Sequence, residues 1–155
     1  MEYLVIKWVH ILSSTLLFGT GLGSAFYMLF TSLSRDVRAI AIVVRYVVIA
    51  DWLFTTPTII IQPATGFYLM YLAHFPLGSR WIVWSIALYL LAGAAWLPVV
   101  WMQVKMRDMA HEAVRNGAKQ LPPLYWRYMR RWVALGVVAF GALIAVFYLM
   151  VAKPA

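Results

Sequence analysis

Polar side chains recur at helical spacing along one otherwise apolar segment of the chain. They are Asp51, Thr55, Thr58, Gln62 and Thr65, which share one helical face. Ionisable groups are costly within a membrane span, so such a face points into a bundle or a cavity. Two interpretations stay open: the face lines a polar cavity in which Asp51 and Gln62 handle protons, or it hydrogen-bonds to neighbouring helices. Pro57 and Pro63 interrupt this segment and predict a distorted helix beside the polar face.

His10 is the second candidate for chemistry. Small and mildly polar residues continue its helical face, namely Ser13, Ser14, Leu17, Gly21 and Ser24. A histidine above such a groove could hold a flat macrocycle through one ring nitrogen, which makes His10 a candidate iron ligand. Ser14 and Gly21 would then lie against the ring. The alternative is close helix packing through the small residues, with His10 hydrogen-bonded to a neighbour.

Four further residues are weaker candidates for the same cofactor site. Tyr89 and Trp96 lie on a sparse face with Ser85 and Gln103, and would flank a ring or fill the core. His74 follows the same apolar segment as Asp51 and could supply a second histidine, or be a solvated loop residue. Arg45 could reach lipid headgroups, pair with Asp51 or contact a propionate.

The composition excludes a water-soluble enzyme, so the candidate residues must be positioned by membrane-spanning elements. Of the 155 residues, 65% are hydrophobic and 12% are charged, and mean hydropathy is +0.82. Cysteine is missing from the sequence, which excludes thiolate chemistry and disulfides. Four stretches free of Asp, Glu, Lys and Arg are long enough to cross a bilayer as helices. We therefore predict an all-α integral membrane four-helix bundle, a single domain over 1–155, with spans at about 4–31, 46–73, 81–108 and 127–151.

Basic residues set the predicted orientation. Of 13 lysines and arginines, most surround two connections between spans. They are Arg35, Arg38, Arg45, Lys105, Arg107, Arg115, Lys119, Arg127, Arg130 and Arg131. Positive charge favours the cytoplasmic side, so both termini are predicted to face outward and the basic connection 105–126 to be cytoplasmic. The net charge of +8 is then a topology signal, and a lipid bilayer rather than nucleic acid is the expected partner.

Several motifs resemble one family along nearly the whole chain. They are KWVHILS at 7–13, FGTGLG at 18–23, ADWLFTTP at 50–57, QP at 62–63, TG at 65–66 and WLPVVW at 96–101. The resemblance is to domain-of-unknown-function family 2269 of bacterial integral membrane proteins. It implies a four-span protein of the bacterial inner membrane and no established activity.

A looser resemblance involves Lys7, His10 and Ile11, and the spacing of Thr56-Pro57 from Gly66. These positions are similar to the small four-helix membrane protoporphyrinogen oxidases, which are haem-associated and use a first-helix histidine and a third-helix lysine. Here His10 matches, whereas the third span has Trp84 and Ser85 where that lysine is expected.

Two hypotheses about function follow from these residues. The first is a b-type haem-binding redox protein, a candidate haem-dependent oxidoreductase, with haem b ligated by His10 and a quinone as a candidate partner at Asp51 and Gln62. The second is a non-enzymatic assembly partner or small subunit, in which Asp51 pairs with a basic residue of another membrane protein or of a second copy.

Overall fold

The computed structural model describes residues 1–154, which form four helical segments joined by three short connections. In chain order the helices are α1 (Glu2–Leu33), α2 (Val37–Ala50), α3 (Thr56–Leu72), α4 (Arg80–Arg115) and α5 (Pro123–Ala152). A π-helical turn, Asp51–Thr55, joins α2 to α3 without a break, so these three pieces make one second helical segment. Within residues 1–154 there is no strand, which confirms the all-α prediction.

The helices extend beyond the predicted apolar spans. The second segment begins at Val37, well before position 46, because the Asp36 carboxylate accepts hydrogen bonds from the backbone N–H groups of Arg38 and Ala39 and caps the helix there. Helix α4 continues to Arg115, as a polar extension of the third span. Asn116 and Gly117, which has a φ of 64°, end it.

Among residues 1–154, three helices are long and apolar enough to cross a membrane, namely α1, α4 and α5. Their outward faces carry large exposed apolar side chains, among them Trp8, Phe26 and Val137. A surface of this kind is stable against lipid tails and unstable in water. The fold is therefore that of an integral membrane bundle.

The π turn has a local cause in Pro57. Proline lacks an N–H group, and its ring clashes with the carbonyl four residues earlier, so a regular α-helix is broken at this point. The helix instead forms one wider, π-helical turn, in which the Thr56 N–H group donates to the carbonyl of Asp51, five residues earlier. The Thr56 hydroxyl donates to the same carbonyl at 3.0 Å. Asp51 thus lies at the start of the distortion that the two prolines predict.

The tightest packing lies at one end of the bundle, which we call the basic end because it carries connections 34–36 and 116–122. Met28, Ile40, Met106 and Tyr125 are fully buried there, and the hydroxyl groups of Ser32 and Tyr125 are 2.8 Å apart. Towards the opposite end, α1 meets α5 through Phe18, whose ring packs edge-on against Phe140 and Phe147. The interior between these two regions is open and holds the candidate site.

Candidate functional site

The polar face of the second segment divides between two places instead of lining one cavity. Asp51 and Thr55 lie in the π turn, where the Thr55 hydroxyl donates to the Asp51 carboxylate at 2.9 Å. Gln62 and Thr65 turn towards α1 and contact His10. The prediction of a single polar cavity is corrected accordingly. The physical reason is the π turn, since its additional residue rotates α3 relative to α2.

The first place is the His10 clamp, formed by His10, Gln62, Thr65 and Gly66. The Nδ1 atom of His10 is 2.8 Å from the Thr65 hydroxyl oxygen, and its Nε2 atom is 3.0 Å from the Gln62 side-chain nitrogen. A Cβ on Gly66 would lie 3.2 Å from the imidazole Cε1, so the glycine leaves the room that the ring needs. The clamp joins α1 to α3.

Hydrogen bonds within the clamp engage both nitrogens of the imidazole. The Nδ1 atom pairs with the Thr65 hydroxyl, which itself contacts the carbonyl of Ile61 at 2.7 Å. The Nε2 atom pairs with the Gln62 amide. Each ring nitrogen therefore has a protein partner and neither is free to ligate iron. The residues present do not fit His10 as an axial haem ligand. Residues 1–154 also hold no cluster of three or more histidine, aspartate or glutamate side chains suited to a metal ion.

The second place is a cavity of about 590 Å³ between α1, α4, α5 and the π turn, which we call the central cavity. Its walls are almost wholly apolar and include Leu17, Ala92, Val99, Leu143 and Ile144. Its lining extends along α4 from Tyr89 to Gln103, a rise of about 21 Å at 1.5 Å per residue. The shape is that of an elongated apolar chamber within the bundle.

Polar side chains line the central cavity near the π turn. Asp51, Gln103 and Trp132 all line it, with 5%, 4% and 5% of their surface exposed. The Gln103 amide lies beside the Asp51 carboxylate. Two buried polar atoms here have no hydrogen-bond partner, the Gln103 Oε1 atom and the Trp132 Nε1 atom. Buried polar groups are normally paired, so these two require an explanation.

The sequence indicates Gln103 only as part of a sparse polar stripe and assigns Trp132 no role in a site. A signal for Gln103 existed, because an uncharged but strongly polar amide lies inside an apolar run on the face that carries Tyr89. No comparable signal existed for Trp132, since tryptophans near span ends commonly form the aromatic belt.

Tyr89, Trp96 and Gly21 line the central cavity as part of its wall. The Tyr89 hydroxyl donates to the carbonyl of Ile59 at 2.7 Å. In a regular helix that carbonyl would accept from residue 63, which is proline here and has no N–H. Tyr89 therefore supports the second helical segment. A Cβ on Gly21 would lie 3.1 Å from the Phe140 ring, so Gly21 permits α1 and α5 to approach.

The structure leaves the other predicted site residues outside both places. The Ser14 hydroxyl donates to the carbonyl of Ile11 in its own helix at 2.8 Å. His74 is exposed in the turn after α3 with a φ of 53°. Arg45 is exposed on α2, and it does not pair with Asp51. Across residues 1–154 the single ion pair joins Arg107 and Asp108.

Comparison with known proteins agrees with the membrane fold. Neither the curated proteins nor the solved structures include a match to this chain. The resemblance to the protoporphyrinogen oxidases thus gains no support. A family model, in contrast, matches residues 4–154. The chain belongs to the family described as "Predicted integral membrane protein (DUF2269)".

Proposed function

We propose that this chain is a multi-pass protein of the bacterial inner membrane, with both termini outward, that binds a lipid-soluble small molecule in the central cavity. The observation that carries this proposal is the pair of unpartnered polar atoms, Gln103 Oε1 and Trp132 Nε1, on residues that line an apolar chamber. Binding sites for small molecules combine apolar walls with a few placed polar groups in this way. The chamber volume also lies within the usual range for such sites.

The entrance to the cavity lies between α1 and α5, within the apolar belt. Its lining includes Leu22 and Phe26 on α1 and Val137 and Ile144 on α5, all of which are also exposed on the outer surface. A molecule dissolved in the bilayer would enter sideways between these helices. A molecule dissolved in water would first have to partition into lipid, which favours an apolar ligand.

Two glycines provide a matched test of this function. Gly93 lines the central cavity and Gly19 does not, and an added Cβ meets nothing within 4 Å at either position. We expect Gly93→Leu to fill the chamber and Gly19→Leu to leave it unchanged. The protein is extracted in lipid nanodiscs with its native membrane, and the lipid-soluble molecules that copurify are identified by mass spectrometry.

A molecule enriched over bulk lipid in the wild type and in Gly19→Leu, but lost in Gly93→Leu, would support the proposal. Equal lipid profiles for all three proteins would overturn it. Recovery of a stoichiometric membrane protein in place of a small molecule would favour the second hypothesis, an assembly partner or a homo-oligomer. The unpaired Asp51 carboxylate is the observation on which that hypothesis rests.

Haem b and redox chemistry stay predictions from the sequence. Ligation by His10 would require Gln62 to leave the imidazole Nε2 atom, because the two groups are hydrogen-bonded at 3.0 Å. A quinone likewise stays a candidate occupant, since it joins an apolar tail to a polar ring. The predicted site would change, however, because Gln62 lies in the His10 clamp and only Asp51 reaches the central cavity.

A further inference from the structure

We infer that the occupant of the central cavity ends in a hydroxyl group, which donates its one hydrogen to the Gln103 Oε1 atom. This inference rests on the proposed function and adds the chemical class of the ligand. An acceptor-only tip, such as an ether oxygen, would leave the Gln103 Oε1 atom without a donor.

The polar groups beside the π turn present acceptors. The side-chain groups that approach the Asp51 carboxylate are the Thr55 hydroxyl, which donates to it at 2.9 Å, and the Gln103 amide. The Thr55 hydroxyl approaches as a donor, so the Asp51 oxygen that it contacts is an acceptor. The Gln103 Oε1 atom is a second acceptor, and it has no donor of its own. A ligand complements this pair of acceptors only if it brings a hydrogen-bond donor.

The Trp132 N–H group is the unpartnered donor of the same cavity wall. It makes no hydrogen bond to the Gln103 Oε1 atom, so that acceptor is left for a donor from outside the protein.

An uncharged donor suits this position better than a cation. The walls beside the polar groups are apolar, including Val99 and Leu29. An ammonium group with a long tail would have to lose its hydration on entering such walls, which is far more costly than for a hydroxyl. The terminal torsion of Gln103 is soft, so its amide turns readily towards an arriving hydroxyl.

The test compares dodecanol with its methyl ether, which has the same chain and accepts hydrogen bonds without donating them. Binding to the full-length protein in nanodiscs is measured by native mass spectrometry over a concentration series. We expect dodecanol to bind about tenfold more tightly than the ether, the size expected when one buried acceptor gains or lacks its donor. In Gln103→Met the two probes should bind equally, because the acceptor has been replaced by an apolar group of similar length.

Gln62→Met is the matched control. Gln62 also carries an unpartnered buried Oε1 atom, but it lies in the His10 clamp and not in the central cavity. The preference for dodecanol should persist in this variant. Equal binding of both probes to the wild type would overturn the hydroxyl inference and leave the cavity as a binding site, since a bound water then serves Gln103. If Gly93→Leu failed to weaken either probe, the proposed function itself would be overturned.

Discussion

The His10 clamp and the polar end of the central cavity lie on the same helical segment, yet they differ in what their polar groups contact. Asp51 and Gln62 are separated by about 16 Å along the helix axis. In the clamp, both imidazole nitrogens have partners on α3. Beside the cavity, the Asp51 carboxylate has no cation and the Gln103 Oε1 atom has no donor. The first place joins two helices and leaves only the Gln62 Oε1 atom without a partner, whereas the unpartnered groups of the second place line a cavity that a ligand could fill.

This difference bears on where function is expected in a membrane bundle. A histidine in an apolar span is usually the first residue suspected of chemistry, because ionisable groups are costly there. Here the histidine is explained by packing and hydrogen bonds. The acid and the amide are the groups left without such an explanation, and they line the chamber. Structures tend to retain incomplete polar sites where a ligand completes them.

The largest effect should come from breaking the clamp with His10→Ala. This substitution removes both hydrogen bonds and leaves the amide of Gln62 without a partner next to α1. We expect the free energy of unfolding to fall by about 2 kcal/mol, the cost of two lost bonds and one orphaned group. Unfolding by SDS in mixed micelles would measure it.

The matched control for this experiment is His74→Ala. His74 is exposed in the turn after α3, where its ring makes no hydrogen bond to another described residue. Its replacement should leave the unfolding free energy within about 0.5 kcal/mol of the wild type. Equal losses in the two variants would mean that the clamp does not join α1 to α3. Unchanged stability in His10→Ala would contradict the structural role directly.

The sequence predicted much of the fold, since four uncharged runs and their basic connections specify helices that need no partner strands. It also placed Asp51 and Gln62 on one face, which a regular helix would require. It could not reveal that the π turn separates them, because the turn depends on how Pro57 is accommodated within the packed bundle. The division into two sites was thus invisible in the spacing alone.

The partners of each polar group were also beyond prediction from one sequence. His10 and Gly66 are far apart in the chain, and only the packing of α1 on α3 places the imidazole where a Cβ would crowd it. Tyr89 was a candidate ring neighbour, but its hydroxyl serves the Ile59 carbonyl that Pro63 leaves free. Long-range contacts of this kind follow from helix packing, which the periodicity of a single sequence does not specify.

A smaller effect should follow from Tyr89→Phe, which tests whether a hydrogen bond in the cavity wall stabilises the bundle as those of the clamp do. The ring is kept, and only the hydrogen bond to Ile59 is lost. We expect a loss of about 1 kcal/mol in unfolding free energy. In a Pro63→Ala background, the backbone N–H group gained at position 63 can donate to the Ile59 carbonyl. Tyr89→Phe should then lower the unfolding free energy by less than it does in the wild type. A double-mutant cycle measures that coupling, and simple additivity would disprove the assigned role.

The smallest effect is expected for Asp51→Asn. The change in unfolding free energy should have the opposite sign to that of the clamp variant, which distinguishes the two places. Asparagine keeps the oxygen that accepts from Thr55 and replaces a buried carboxyl group that has no cationic partner with a neutral amide. Its new N–H group can donate to the Gln103 Oε1 atom. We therefore expect unfolding free energy to rise by about 0.5 kcal/mol, whereas the clamp variant loses stability.

Asp36→Asn is the control, because asparagine caps a helix as well as aspartate and should change nothing measurable. A loss of more than about 1 kcal/mol in Asp51→Asn would show instead that the carboxylate charge is paired, since breaking a buried pair is strongly destabilising.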